Sequence, residues 1–204
     1  MPEGSVRAGV IAITGHRYYP DRAGFYRGLD RLQADKYLLG GARGADTDAL
    51  EYLGRTQAGS GRTVVVPNKL ASQPISTQAV TKQYATELIE LGNVGPDRYM
   101  IRNRYMVDHA DRVAAFYDGR GHGGTFNTIE YAKSRGVAVD IMPLVEMSEE
   151  AIQAMTQKDF NLWLDGCNLA KIPRMAVKSV VIRRMKLMPR GDWPGVLSKL
   201  HRLN

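Results

Sequence analysis

The sequence has few of the residues that form disulfides or bind metals. Among its 204 residues, one is a cysteine, Cys167, and four are histidines. A single cysteine excludes an intrachain disulfide, and no pair of His or Cys residues has the spacing of a zinc site. We therefore expect a cytoplasmic protein with no bound metal and no cofactor.

Long apolar runs are also absent. No stretch is long enough to cross a bilayer as a helix. The first residues, Met1–Ser5, lack the basic and then apolar pattern of a secretory signal. We expect no membrane partner, and the ordinary apolar content of 44% predicts a folded domain with a substantial core.

Acidic residues are scarce in the last quarter of the chain. Residues 151–204 contain 10 Lys and Arg against 3 Asp and Glu, whereas residues 1–150 contain 18 of each kind. The tail therefore carries the whole net charge of +7. This asymmetry indicates either an anionic partner such as nucleic acid or a solvated basic face. We predict a domain over residues 1–145 and a basic C-terminal extension, helical or mixed, over residues 146–204.

Within the first part, apolar runs alternate with segments of helical period. The predicted strands are Gly9–Thr14, Tyr37–Leu39, Thr63–Val66, Val113–Tyr117 and Val137–Met142. The predicted helices are Arg22–Leu32, Gly44–Tyr52, Thr77–Leu91, Arg98–His109 with Asp97 as its cap, and Thr125–Ser134. The alternation predicts an α/β, Rossmann-like three-layer fold with a mainly parallel sheet.

The C-terminal extension is less clearly patterned. A helix is expected to begin near Ser148, and a short one is expected around Val196–Leu203. Residues 173–188 fit either a helix, through the spacing of Val177 and Met185, or a strand at Val180–Ile182.

Three of the predicted strands end in glycine and polar residues. Glycine permits positive φ and lets backbone N–H groups approach a ligand, and a following helix N-terminus favours phosphate. Because the carboxyl ends of parallel strands share one edge, we expect one crevice there. The candidate ligand-binding residues on these segments are Thr14, Gly15, His16, Arg17, Gly40, Gly41, Ala42, Arg43, Gly44, Asp46, Asp118, Gly123, Gly124 and Thr125.

Two arginines and a pair of acids add to this crevice. Arg98 and Arg102 are four residues apart on one predicted helix, so both are candidates to neutralise a phosphate. Asp46 and Asp48 fall in the first turn of another helix, where they either cap the helix or accept a ribose hydroxyl. Thr125 is itself a candidate helix cap.

Four motifs occur in the order seen in the Smf/LOG (SLOG) superfamily of Rossmann-like nucleotide-binding domains. They are Ile13–Arg17, Gly40–Asp46, Arg102–Met106 and Gly124–Thr128. The first two resemble most the DNA-processing (Smf) and YspA-like branches. The third resembles the R-K-x-x-M motif of the Lonely Guy phosphoribohydrolases. The resemblance covers about residues 8–143 and leaves the tail unexplained.

The chain departs from the enzymes of this superfamily at two positions. Lonely Guy enzymes read P-G-G-x-G-T-x-x-E, and that Glu is implicated in breaking an N-glycosidic bond. Here Thr128 stands at the Glu position and Asn103 replaces the Lys of the other motif. A hydroxyl does not replace a carboxylate at neutral pH without an activating partner. Candidate substitutes are Asp118 and Glu130, although Glu130 is expected to face away from the crevice.

The resemblance implies a protein that binds a nucleotide or a nucleotide-derived ligand, without the usual hydrolase site. Phosphate would rest against the backbone of Gly40–Gly44 and Gly123–Thr125. Two alternatives remain open: a phosphoribohydrolase-like enzyme that cleaves a nucleotide N-glycosidic bond, and an Smf-like protein that binds single-stranded DNA with help from the tail. The resemblance also implies a homo-oligomer.

Overall fold

Six parallel strands form a single sheet. The structure, a computed structural model, describes residues 8–17, 19, 22–117, 119, 121–143, 152–153, 155–169 and 174–203. The strands are β1 Ala8–Gly15, β2 Ala34–Leu39, β3 Gly61–Val66, β4 Glu87–Glu90, β5 Arg112–Tyr117 and β6 Ala138–Pro143. They pair in the order β4-β3-β2-β1-β5-β6. Every neighbouring pair is parallel, so each connection returns to the same starting edge.

Helices cover both faces of this sheet. They are α1 Arg22–Asp30, α2 Ala45–Thr56, α3 Ile75–Tyr84, α4 Arg98–Asp108 and α5 Gly124–Ser134. Ile11 and Ile13 of β1 point to the face packed by α1 and α2, whereas Ala12 points to the face packed by α4 and α5. Alternating side chains along a buried strand supply two apolar layers in this way. The predicted Rossmann-like three-layer α/β fold is confirmed.

The predicted helix over residues 77–91 is wrong in its second half. The helix ends at Tyr84, and residues 87–90 form the edge strand β4 beside β3. Tertiary contacts decide this, because the Glu87 carboxylate accepts hydrogen bonds from the Thr63 hydroxyl at 2.7 Å and from the Lys36 ammonium at 3.0 Å. The Glu90 carboxylate accepts one from the Leu70 N–H at 2.7 Å. A short edge strand with two charged residues also resists pairing with other chains.

Of two predicted helix caps, one is confirmed in its position and the other is wrong. Asp97 stands at the N-cap position of α4, but its side chain makes no capping hydrogen bond, and its carbonyl accepts the Ile101 N–H at 2.9 Å. Thr125 lies inside α5, which has Gly123 at its N-cap. Both helices therefore begin without a side-chain cap.

The described residues of the C-terminal extension include three longer helices. They are α6 Gln157–Leu169, α7 Arg174–Met185 and α8 Trp193–His201. Residues 174–185 are helical, and the alternative of a strand there is wrong. All three helices contribute to one apolar cluster, which contains Trp163 of α6, Val181 of α7 and Leu200 of α8. The predicted boundary at residue 145 and the predicted helix start near Ser148 lie outside the described residues.

Across the part of the chain that the structure describes, none of the helices is both long and apolar enough to cross a bilayer.

Gly44 holds a backbone conformation that other residues rarely adopt. It precedes α2 with φ 86° and ψ −130°, and a Cβ there would overlap the carbonyl oxygen of Arg17. We expect Gly44→Ala to lower the free energy of unfolding by about 2 kcal/mol or more, measured by urea denaturation. The control is Gly59→Ala, since a Cβ at Gly59 meets no atom within 4 Å. Equal losses in the two variants would contradict this account.

Candidate functional site

The segments that follow β1 and β2 meet the first turn of α5 around one cavity of about 240 Å³. We call this cavity the crevice. It lies at the carboxyl edge of the sheet, where ligands of open α/β folds bind. Eleven of the residues expected from the sequence line it: Thr14, Gly15, His16, Arg17, Gly40, Ala42, Arg43, Asp46, Arg102, Gly124 and Thr125.

The remaining candidates lie elsewhere. Arg98 is one helical turn from Arg102, and its guanidinium donates to the Gly95 carbonyl at 3.2 Å and stacks over Tyr99 instead of entering the crevice. The exposed carboxylate of Glu130 pairs with Lys133 at 2.8 Å, away from the crevice.

Three glycines and one acid complete the list of candidates. Gly41 and Gly44 shape the β2–α2 turn with positive φ, and Gly123 precedes α5 in the same way, but none of the three lines the crevice. Asp118, the other candidate carboxylate, lies outside the described residues.

The Arg102 guanidinium is buried at the floor of the crevice. The side chain of this residue of α4 donates to the Gly40 carbonyl, and its Nη1 lies 3.4 Å from the Asp46 carboxylate. A Cβ at position 40 would overlap the guanidinium. Glycine at this strand end therefore admits an arginine of the protein itself, a reason that differs from the predicted approach of backbone to phosphate.

Asp46 is neither a helix cap nor a solvent-facing acid. Its carboxylate accepts the Ala42 N–H at 3.2 Å as well as Arg102, and α2 has no side-chain cap. Asp48 is also engaged elsewhere, because it accepts hydrogen bonds from the hydroxyl of Tyr19 and, at 2.8 Å, from Arg22. The predicted capping role of both acids is wrong. They connect α2 to α4 and to α1.

Burial controls the ionisation of the central pair. It raises the pKa of the Asp46 carboxyl above its usual range, and the Arg102 charge and the Ala42 N–H offset part of that effect. Burial likewise lowers the pKa of Arg102, against the attraction of Asp46. The buried Nε of Arg102 has no hydrogen-bond partner among the described residues. A donor left unpaired beside a cavity is a feature that a bound group can satisfy.

The charged residues around the crevice favour an anion. Arg17 and Arg43 are exposed at its rim, Arg102 is buried in its floor, and Asp46 is the only acid among the described residues that line it. Three cationic side chains against one carboxylate leave an excess of positive charge. A ligand that displaces water from the crevice lowers the local dielectric constant, which strengthens this attraction.

The backbone donors around the crevice are unequal. In the β2–α2 turn, the Ala42 N–H is bonded to Asp46 and the Ala45 N–H to the His16 carbonyl at 3.1 Å. In α5 the first intrahelical bond runs from Asn127 N–H to the Gly123 carbonyl at 2.9 Å. The N–H groups that precede that bond have no intrahelical acceptor. Among the described residues, the first turn of α5 therefore keeps more of its N–H groups available for an anion than the first turn of α2, where the Ala45 N–H is engaged.

The two departures from the enzyme motifs contact one another. Asn103 Nδ2 donates to Thr128 Oγ1 at 2.9 Å, and Thr128 Oγ1 donates to the Gly124 carbonyl at 2.8 Å. The hydroxyl proton of Thr128 is thereby held by a backbone acceptor. Thr128 lines the crevice, and among the described residues its hydroxyl bonds only the Asn103 amide and the Gly124 carbonyl, neither of which would activate it as a nucleophile.

Five lining residues were not among the ligand-binding candidates from the sequence, although four of them lie in its motifs. They are Ile13, Tyr99, Asn103, Met106 and Thr128. Tyr99 precedes Arg102 by three residues and Met106 follows it by four, so both share its side of α4, and Asn103 is the next residue on the edge of that side. The same period that indicated the helix could have found them.

The fold and this site together define the class of the protein: a Rossmann-like α/β protein with a basic crevice above the carboxyl ends of its strands. No protein-family model matches the chain, and a search of curated proteins finds no match either.

The buried pair can be tested by a double-mutant cycle. We expect Arg102→Met to lower the free energy of unfolding by about 3–5 kcal/mol, since it leaves the Asp46 carboxyl buried without its cation. In Arg102→Met with Asp46→Asn, the loss should be smaller than the sum of the single losses by more than about 1 kcal/mol. The measurement is urea denaturation of the four proteins.

A surface pair provides the matched control. Lys133 and Glu130 lie 2.8 Å apart, and both side chains are about half exposed. Lys133→Met and Glu130→Gln should couple by less than about 0.5 kcal/mol. A coupling of the Arg102 pair no larger than this would contradict the role assigned to it.

Proposed function

We propose that the protein binds a nucleotide or a nucleotide-derived anion in the crevice, as the SLOG resemblance implies, and does not hydrolyse it. The observation that carries this proposal is the placement of Arg17, Arg43 and Arg102 around a helix N-terminus whose first N–H groups have no intrahelical acceptor. Helix N-termini and guanidinium groups are the elements that recognise phosphate in proteins.

The size of the crevice favours a small anionic group. Its volume of about 240 Å³ is below the ~300–1,000 Å³ of pockets that enclose a drug-sized ligand. A sugar phosphate is therefore a better match for the crevice than a whole dinucleotide. The phosphate would lie against Gly124 and Thr125, and the rim arginines would neutralise its outer oxygens.

The side chains around the crevice also support binding without hydrolysis. Thr128 donates its proton to a carbonyl group, and Glu130 is turned towards Lys133.

One observation favours the alternative of an N-glycosidic hydrolase. Asp46 is a carboxyl in the crevice whose pKa is raised by burial, which is a common property of catalytic acids.

The tail supports the other alternative, an Smf-like protein that binds single-stranded DNA. The exposed residues of α7 include Arg174 and Lys178, and Lys186 follows the helix. Such side chains contact phosphates without regard to sequence. We further propose a homo-oligomer, as the resemblance implies, and a cytoplasmic location.

Binding can be measured by calorimetry with nucleoside 5′-monophosphates and ribose 5-phosphate. We expect Arg43→Gln to weaken binding by about fivefold to tenfold, because it removes one exposed charge from the anion site. Arg31→Gln is the control, since Arg31 is exposed and does not line the crevice. Failure of all these compounds to bind would contradict the proposal.

The hydrolase alternative makes a separate prediction. Incubation of the protein with nucleoside 5′-monophosphates should release no free base, as followed by chromatography. Release that disappears in Asp46→Asn would replace the binding proposal with the enzymatic one. Release that persists in Asp46→Asn but disappears in Asp118→Asn would also replace the binding proposal with the enzymatic one, with Asp118 as the catalytic carboxylate.

A further inference from the structure

A second cavity lies beside the crevice on the same edge of the sheet. Its volume is about 210 Å³, and it is lined in part by Pro67 and Asn68, which follow β3, and by Val94, which lies beyond the end of β4. Tyr99 of α4 lines both this cavity and the crevice. The two cavities are therefore neighbours that share one aromatic side chain.

The walls of the second cavity are held by hydrogen bonds of the backbone. The Asn93 N–H donates to the Pro67 carbonyl at 2.7 Å, which ties the segment after β4 to the segment after β3. The carbonyl of Gln73 accepts from the side-chain amide of Gln78 at 2.8 Å. A site whose walls are fixed before binding loses little entropy when a ligand arrives.

Two side-chain amides in this cavity are unused. Asn68 and Gln73 are half-buried and line the cavity, and neither amide group has a hydrogen-bond partner among the described residues. An amide offers a donor and an acceptor side by side. Such a pair matches the hydrogen-bonding edge of a nucleobase, as Asn and Gln do with adenine.

The cavity also offers a surface for a planar ring. The Arg98 guanidinium lies 4.7 Å from the centre of the Tyr99 ring. Aromatic rings and guanidinium planes are the groups on which proteins stack unpaired bases. Arg98, the only cation that lines the cavity among the described residues, already donates to the Gly95 carbonyl. This composition suits a neutral heterocycle better than a second phosphate.

We propose that the second cavity binds the base of the nucleotide whose phosphate occupies the crevice, an inference that rests on the proposed function. Tyr99 is the side chain that lines both cavities. A ribose passing Tyr99 can connect a phosphate in the crevice with a base in the second cavity. The volumes of the crevice, about 240 Å³, and of the second cavity, about 210 Å³, are each below the ~300–1,000 Å³ of a usual ligand pocket, and their combined volume lies within that range.

The experiment compares ligands with and without a base. Dissociation constants are measured by calorimetry for AMP, GMP, CMP, UMP and ribose 5-phosphate. At least one nucleotide should bind about tenfold more tightly than ribose 5-phosphate. In the double variant Asn68→Ala and Gln73→Ala, this advantage should fall by about fivefold or more, while the affinity for ribose 5-phosphate stays within about twofold.

Two control variants separate the subsites. Gln83→Ala removes an exposed amide outside both cavities and should change neither affinity. Arg43→Gln should weaken the nucleotide and ribose 5-phosphate by the same factor. Because the Asn68 and Gln73 amides bond no described residue, the double variant is expected to keep its melting temperature, which is checked first.

The outcomes distinguish this inference from the proposed function. If ribose 5-phosphate binds as tightly as every nucleotide, or if the double variant keeps the full advantage, the base subsite is wrong and the anion site stands. If neither ribose 5-phosphate nor any nucleotide binds, the proposed function and the base subsite are both wrong.

Discussion

The buried guanidinium group of Arg102 connects the elements that form the crevice. Arg102 reaches from α4 under the end of β2, where the missing side chain of Gly40 leaves room for it, and meets Asp46 at the start of α2. Helices on opposite faces of the sheet are thereby joined at its carboxyl edge. Breaking such a buried pair costs far more than breaking an exposed one, because the remaining charge has no water around it.

Because of this arrangement, some arginines and helix ends of the crevice bond other parts of the protein, and others are available to a ligand. Arg102 and the start of α2 are engaged with the protein, whereas Arg17, Arg43 and the start of α5 face the cavity. This difference between the two sides of the crevice defines how a ligand would be oriented in it. In the proposed function, an anion binds near the start of α5, and the rest of the ligand extends past Tyr99 towards the segments after β3 and β4.

The sequence predicted the parts of the fold whose local pattern and environment agree. Strands such as β5 are apolar because both of their faces are covered, and their composition is enough to indicate them. Residues 87–90 form a strand against their helical period, since pairing with β3 overrides local propensity. The glycine turns indicated where the crevice lies. They did not reveal that Arg102 contacts Gly40, because that contact joins residues 62 positions apart in the chain.

Asn103 and Thr128 form a matched pair, since one side chain donates to the other. A carboxylate placed at position 128 alone would meet an amide, and a lysine placed at position 103 alone would meet a hydroxyl. Neither single change recreates the combination of Lys and Glu in the Lonely Guy motifs. The two positions are therefore coupled: a substitution at either one alone removes the hydrogen bond on which the other side chain now depends.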